Sequence, residues 1–114
     1  MTMVDEQTKT VAVCEVGRLI PGRGVAALLP DGRQVAIFRT TGDQFFAISN
    51  IDPFARAAVL SRGIIGDAGG VPMVTSPLLK QRFDLTTGKC LDDESVVIRT
   101  YPVHVVDGTV YITP

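Results

Sequence analysis

The chain has 114 residues, of which 46% are apolar and 20% charged, with a net charge of −1. That length and balance describe one soluble domain able to enclose a hydrophobic core. Near-neutral charge leaves no electrostatic footprint for nucleic acid or an anionic membrane surface, and no apolar run approaches bilayer-spanning length.

Residues 1–10 are polar, carry Asp5, Glu6 and Lys9, and contain no apolar stretch of a secretory signal. They are expected to form a flexible tail ahead of a single β domain over residues 11–114. From Val11 onward the chain reads as short strands divided by turn dipeptides. Gly24–Leu29 and Gln34–Arg39 flank Pro30-Asp31-Gly32, a hairpin signal. Thr41-Gly42-Asp43 then leads into a third strand, Gln44–Ser49, which completes a meander.

Residues 50–80 read as an irregular, apolar flap, rich in glycine and proline, on a rigid β scaffold. Asp52-Pro53 has the chemistry of a helix cap and first helical position, which predicts a short helix or 3₁₀ turn over Phe54–Leu60. A further hairpin turns at Thr86-Thr87-Gly88-Lys89. At the end, Tyr101–Val106 and Thr109–Thr113 bracket Asp107-Gly108. In the last strand, Val110 and Ile112 fall on one face and Thr109, Tyr111 and Thr113 on the other.

The inventory of metal-binding side chains is short. Cys14, Cys90 and His104 are the only cysteines and histidine. An iron–sulfur cluster takes four thiolates, or two thiolates with two imidazoles, and a structural zinc ion usually takes four such ligands. One chain therefore cannot fill either set. Cys14, in an apolar strand, reads as a small buried hydrophobe, whereas Cys90, just after a turn, reads as partly exposed. His104 reads as a strand residue facing solvent or bonded to a carbonyl. A Cys–His nucleophilic pair requires one thiol to meet His104 in space. The glycines of Gly22-Arg23-Gly24 and Gly66-Asp67-Ala68-Gly69-Gly70 lack the strand-to-helix context of a phosphate loop and read as turns. Asp92-Asp93-Glu94 reads as a solvated acidic turn.

Three stretches together carry a specific pattern: Asn50-Ile51-Asp52-Pro53-Phe54, Val59-Leu60-Ser61-Arg62-Gly63-Ile64-Ile65-Gly66-Asp67, and Ser76-Pro77-Leu78-Leu79-Lys80-Gln81-Arg82-Phe83-Asp84-Leu85. From Val11 to the C-terminus the chain resembles the small subunits of assimilatory NAD(P)H-dependent nitrite reductase, Rieske-like domains without cluster ligands. The resemblance implies an all-β fold of stacked antiparallel sheets with a loop-rich subdomain inserted at one end. It also implies that the Cys-x-His loop of a Rieske domain corresponds to Asn50 and Asp52, and the Cys-Pro-x-His loop to Ser76 and Leu79. These would be vestigial ligand positions, with no cofactor in this chain.

Two cysteines without a framework pattern fit a reducing cytosol, so the expected setting is cytoplasmic, and the resemblance further implies a role in nitrate assimilation and a large-subunit partner. That partner would carry FAD, siroheme and a 4Fe-4S cluster and pass electrons from NAD(P)H to nitrite, yielding ammonium. The choice of NADH or NADPH would lie on that other polypeptide. The tip formed by the two loops would dock through Phe54, Arg56, Arg62, Lys80 and Arg82, although the charges can equally be read as solubilising a loop. Two alternatives stand beside this reading. One is a free-standing electron-transfer module with a cluster between subunits; the other is a Rieske-like binding module for an unrelated partner.

Overall fold

Four consecutive residues, Val35, Ala36, Ile37 and Phe38, are completely enclosed. Successive side chains of a strand point to opposite faces, so such a run requires packed material on both sides. Val35 and Ile37 enter one hydrophobic cluster, while Ala36 and Phe38 enter a second.

The computed structural model describes residues 10–114. In chain order the strands are β1 (Val11–Glu15), β2 (Arg23–Leu28), β3 (Gln34–Arg39), β4 (Phe45–Ser49), β5 (Ile51–Asp52) and β6 (Ala57–Ala58). They continue with β7 (Ile64–Ala68), β8 (Val71–Thr75), β9 (Arg82–Asp84), β10 (Thr100–Tyr101), β11 (Val103–Val106) and β12 (Thr109–Ile112). The central sheet has the order β10-β4-β3-β2, and a second sheet has the order β1-β12-β11. A third, β7-β8-β9, and the small pair β5-β6 are built from the inserted segment. Every pairing is antiparallel, as expected for the all-β, Rieske-like stacking.

One cluster joins Val35, Ile37 and Ala47 of the central sheet to Val110 and Ile112 of β12, with Leu19, Leu29 and Tyr101. The other joins Ala36, Phe38 and Ile48 to Val74, Phe83, Leu85 and Cys90 of the inserted region. Enclosing a side chain the size of Ile48 or Phe38 contributes about 1.5–3 kcal/mol.

Turn chemistry fixes the registers. Gly32 (φ +92°) closes the β2–β3 connection, with its N–H donating to the Leu29 carbonyl at 2.9 Å and Leu29 N–H donating to Arg33 at 2.8 Å. The β3–β4 turn repeats this pattern with Asp43 in the left-handed conformation (φ +62°) and the Thr40 N–H on the Gln44 carbonyl. Asp107 and Gly108 form the two-residue β11–β12 turn, both at positive φ, the geometry that matches strand twist. The expected alternation in β12 holds: Val110 and Ile112 are enclosed, while Thr109, Tyr111 and Thr113 are half-buried.

Four expectations are corrected. No helix spans residues 54–59; Ala57–Ala58 is a strand, and the 3₁₀ turn begins only at Leu60 and runs to Arg62. Asp52 does cap backbone N–H groups, but in a turn, because the same side-chain chemistry serves both motifs. The flap is more regular than its composition suggests, since Gly69-Gly70 form the two-residue turn of the β7–β8 hairpin. Tyr101–Val106 is not one strand: the chain breaks at Pro102, with β10 in the central sheet and β11 in the other. Cys90 is fully buried, because it pairs across from Phe83 rather than ending in the turn. The expected tail over residues 1–10 falls almost wholly outside the described residues; Thr10 is exposed.

Candidate functional site

Two loops meet at one end of the inserted subdomain. The first runs from Asn50 through β5 to β6. Asp52 is enclosed, and its Oδ1 accepts hydrogen bonds from the N–H groups of Phe54 (2.8 Å) and Ala55 (3.2 Å). Its backbone carbonyl accepts from Arg56 N–H at 2.7 Å, and Arg56 takes a positive φ of 55° to close the turn. The second loop runs from Ser76 to Gln81 and is closed by Ser76 N–H on the Gln81 carbonyl at 2.9 Å, with Lys80 at φ +67°.

The loops are tied by their side chains. The Ser76 hydroxyl donates to Asp52 Oδ2, and both residues have no solvent exposure. Burial of a polar group is costly unless it is bonded; with three donors on its two oxygens, the Asp52 carboxyl group is satisfied. Asn50, also buried, accepts from Ser61 N–H on Oδ1 at 2.7 Å and donates through Nδ2 to Gln34 Oε1 at 3.2 Å. It thereby holds the 3₁₀ turn at Leu60–Arg62 against the start of β3.

Leu79 behaves differently from the other three. It is 53% exposed beside Leu78 at 51%, forming an apolar point on the second loop.

These four side chains do not fit a 2Fe-2S cluster. They offer an amide, a carboxyl group, a hydroxyl and an alkyl chain, where such a centre takes thiolates and imidazoles. The space between the loops is spanned by the Asp52–Ser76 bond. Among the described residues no group of three or more His, Cys, Asp or Glu side chains is placed to hold a metal ion.

The remaining candidates separate in space. Phe54, expected among the docking residues, is half-buried and packs on Phe83 with ring centroids 6.2 Å apart. Arg56, Arg62 and Lys80 are exposed, and Lys80 Nζ lies 3.2 Å from the Pro77 carbonyl. Arg82 is engaged at the base of the loop. Its Nη2 donates to Asp92 Oδ1 at 2.8 Å and its backbone N–H to Asp92 Oδ2 at 2.8 Å. The guanidinium bond, followed by the backbone one, holds the Asp92 carboxyl below the usual carboxylate range, and the same pairing raises Arg82.

His104 is exposed on β11. Cys90 lies in the cluster on the far side of the central sheet, and Cys14 is half-buried on β1. The fold thus does not bring Cys90 to His104. Burial pushes the Cys14 thiol pKa up, partly offset by Arg18, the opposite of what activates a nucleophile.

The sequence reading missed the role of Gln34 and of the Ser61 N–H, which complete the setting of Asn50. Their signal is spatial: both contacts cross at least ten positions of chain.

Residues 9–113 match the family model described as a Rieske-like [2Fe-2S] domain. A relative from Salmonella typhimurium, described as the small subunit of NADH nitrite reductase, is 50% identical over 101 residues, covering 88% of this chain and 93% of the relative. A crystal structure from Mycobacterium tuberculosis, described as an NADH-dependent nitrite reductase small subunit, superposes with a TM-score of 0.89 at 49% identity, covering 92% of this chain and 94% of that one. A Klebsiella oxytoca protein, described as an NAD(P)H nitrite reductase large subunit, is 44% identical over 101 residues, spanning 89% of this chain but 10% of the relative. With a family model across nearly the whole sequence and half of its aligned residues shared with a named relative, the chain belongs to the Rieske-like domain family, among its nitrite reductase small subunits.

Proposed function

We propose that this chain is the small subunit of an NAD(P)H-dependent nitrite reductase, acting without a redox centre of its own beside a large subunit. The observation that carries this reading is the 50% identity to the Salmonella typhimurium small subunit across nearly its full length. The donor chemistry at Asn50, Asp52, Ser76 and Leu79 supports the second half of the statement, because electron transfer through a Rieske centre needs ligands these residues are not.

The Klebsiella oxytoca relative supports the identity of the partner. There a segment similar to this chain belongs to a polypeptide about ten times longer, described as a large subunit. A domain that is covalently part of a large subunit in one protein and separate in another is readily understood as docking non-covalently in the second. In this reading FAD, siroheme and a 4Fe-4S cluster reside on the large subunit, which conducts electrons from the nicotinamide to nitrite. The setting is cytoplasmic. Among the described residues, no helix is long and apolar enough to cross a membrane.

The tip is the proposed docking surface. Leu78 and Leu79 supply apolar contact and the exposed Arg56, Arg62 and Lys80 supply positive charge, while Phe54 packs on Phe83 and Arg82 is held by Asp92. Apolar anchors beside arginine are the usual composition of interface hot spots.

The test is reconstitution. The isolated chain should show no visible absorbance and no stoichiometric iron after anaerobic purification. Nitrite-dependent oxidation of NADH or NADPH should rise when it is mixed with the large subunit. Stoichiometric iron in the lone chain, or full activity of the large subunit without it, would overturn the assignment.

A further inference from the structure

Beside the first loop lies a cleft of 420 Å³ whose lining includes Arg33, Arg99, Tyr101, Ile51 and Pro53. Tyr101 makes its floor. The residue is only 6% exposed and belongs to the cluster between the central and β1-β12-β11 sheets, so its ring is a fixed platform. The guanidinium carbons of Arg33 and Arg99 stand 5.5 and 5.2 Å from that ring's centroid, within cation–π range.

The two cations are not equally compensated. Arg33 Nε is 2.6 Å from Asp31 Oδ2, and its Nη1 donates to the Tyr101 hydroxyl at 3.3 Å. Arg99 is exposed and has no ion-pair partner among the described residues. The cleft therefore carries an unbalanced positive charge over an aromatic floor. A guanidinium stacked near a ring keeps N–H groups free for a planar anion, and it binds carboxylates bidentately.

The walls narrow the choice of anion. Ile51 is 41% exposed and Pro53 is exposed, so apolar surface lies next to the charge. A free inorganic ion gains nothing from that surface, whereas a side chain on a folded partner brings apolar neighbours with it. Ile51 and Pro53 are also part of the first tip loop, so the cleft continues the proposed docking surface.

We propose that this cleft receives an acidic side chain of the large subunit, with its carboxylate on Arg99 and adjoining apolar residues on Ile51 and Pro53. The proposal rests on the small-subunit reading and adds a specific contact to it.

The experiment measures affinity between the full chain and the purified, cofactor-loaded large subunit at low and high salt. Arg99→Glu should weaken binding at least tenfold and flatten its salt dependence, and Arg99→Ala should weaken it less. Arg18→Glu, which makes the same charge change on the exposed 3₁₀ turn at Val16–Arg18, should bind like the unmodified chain. Arg99→Ala serves as the measure if the reversal alters the fold.

Unchanged affinity of the Arg99 variants, with the unmodified chain still binding, overturns the cleft proposal and leaves the subunit assignment intact. Equal losses from Arg18→Glu and Arg99→Glu reduce the effect to bulk charge and also overturn it. Chemical-shift changes at Arg33, Arg99 and Tyr101 on adding nitrite or phosphate to the lone chain, with normal subunit affinity of the variants, assign a free-ion site instead. If the unmodified chain does not bind the large subunit at all, the cleft proposal and the assignment fall together.

Discussion

The Ser76 hydroxyl donates a hydrogen bond to the Asp52 carboxyl group, with both residues sealed from solvent. The bond links two loops 24 positions apart in the chain. On the proposed correspondence of Asp52 and Ser76 with the ligand places of a Rieske loop pair, a polar side-chain pair performs the mechanical part of the same task. It holds the loops together without supplying an electron carrier.

Removing the donor should therefore be expensive. Ser76→Ala leaves Asp52 Oδ2 enclosed without its partner, and a bond to a group of this kind is worth about 1.5–3 kcal/mol. Urea denaturation should register a loss of about 2 kcal/mol. Ser76→Thr, which keeps the hydroxyl, should recover part of it. A Ser76→Ala variant as stable as the unmodified chain would mean that the bond contributes nothing.

A second stability prediction concerns Gly88. Its φ is +81°, and a Cβ there would lie 2.0 Å from the Ile98 carbonyl oxygen. Both the left-handed backbone and the collision with main chain act against any side chain. Gly88→Ala should cost about 2–4 kcal/mol by the same measurement, whereas Gly32→Ala, with open space around it, should cost only the conformational part.

The Arg82–Asp92 pair predicts an acid-side signature. Asp92 is held below its ordinary value by the Arg82 guanidinium and then the Arg82 backbone N–H. A depressed carboxyl contributes stability that is fully present above the unfolded-state value, near pH 4, and is lost as pH falls through the folded-state value. Asp31, held down first by the backbone N–H of Arg33, and Asp93, held down first by the Ser95 hydroxyl, act with the same sign. Asp92→Asn should make the fall in stability below pH 4 shallower while leaving its slope at neutral pH unchanged, as read from urea midpoints across the range.

Assembly gives the fourth prediction. Arg62 and Lys80 are exposed, and exposed substitutions away from buried features usually change stability by no more than about 0.5 kcal/mol. Arg62→Glu with Lys80→Glu should therefore keep the melting behaviour of the chain while weakening its affinity for the large subunit. Unaltered affinity of the double variant would discard the tip as the docking surface.

How much of this was legible in the sequence depends on the range of the interactions. The β2–β3 and β11–β12 hairpins are written locally, in Pro30-Asp31-Gly32 and Asp107-Gly108, and the structure has them there. Gly69-Gly70 carried an equally local signal, but it was submerged in a segment whose glycines and prolines suggested irregularity. Asp52 has the chemistry of a helix cap but closes a turn instead; an N-cap and a side-chain-closed turn bond the same N–H groups, so local chemistry does not separate helix from loop. Cys90 takes its environment from Phe83 and the central sheet rather than from its turn, so its place in the sequence reads as exposed although it is buried. The resemblance located Asn50, Asp52 and Ser76, but their bonds to Ser61, Gln34 and one another appear only in three dimensions.

The strand from Gln34 to Arg39 has a final consequence. Because neighbouring residues Val35 and Ala36 serve different hydrophobic clusters, that strand is a party wall between the two halves of the molecule. Melting of either half would strip that strand of the packing on one of its faces, so the stability of each half depends on the other. The subdomain that bears the loops is thus coupled to the remainder through the packing on both faces of this strand.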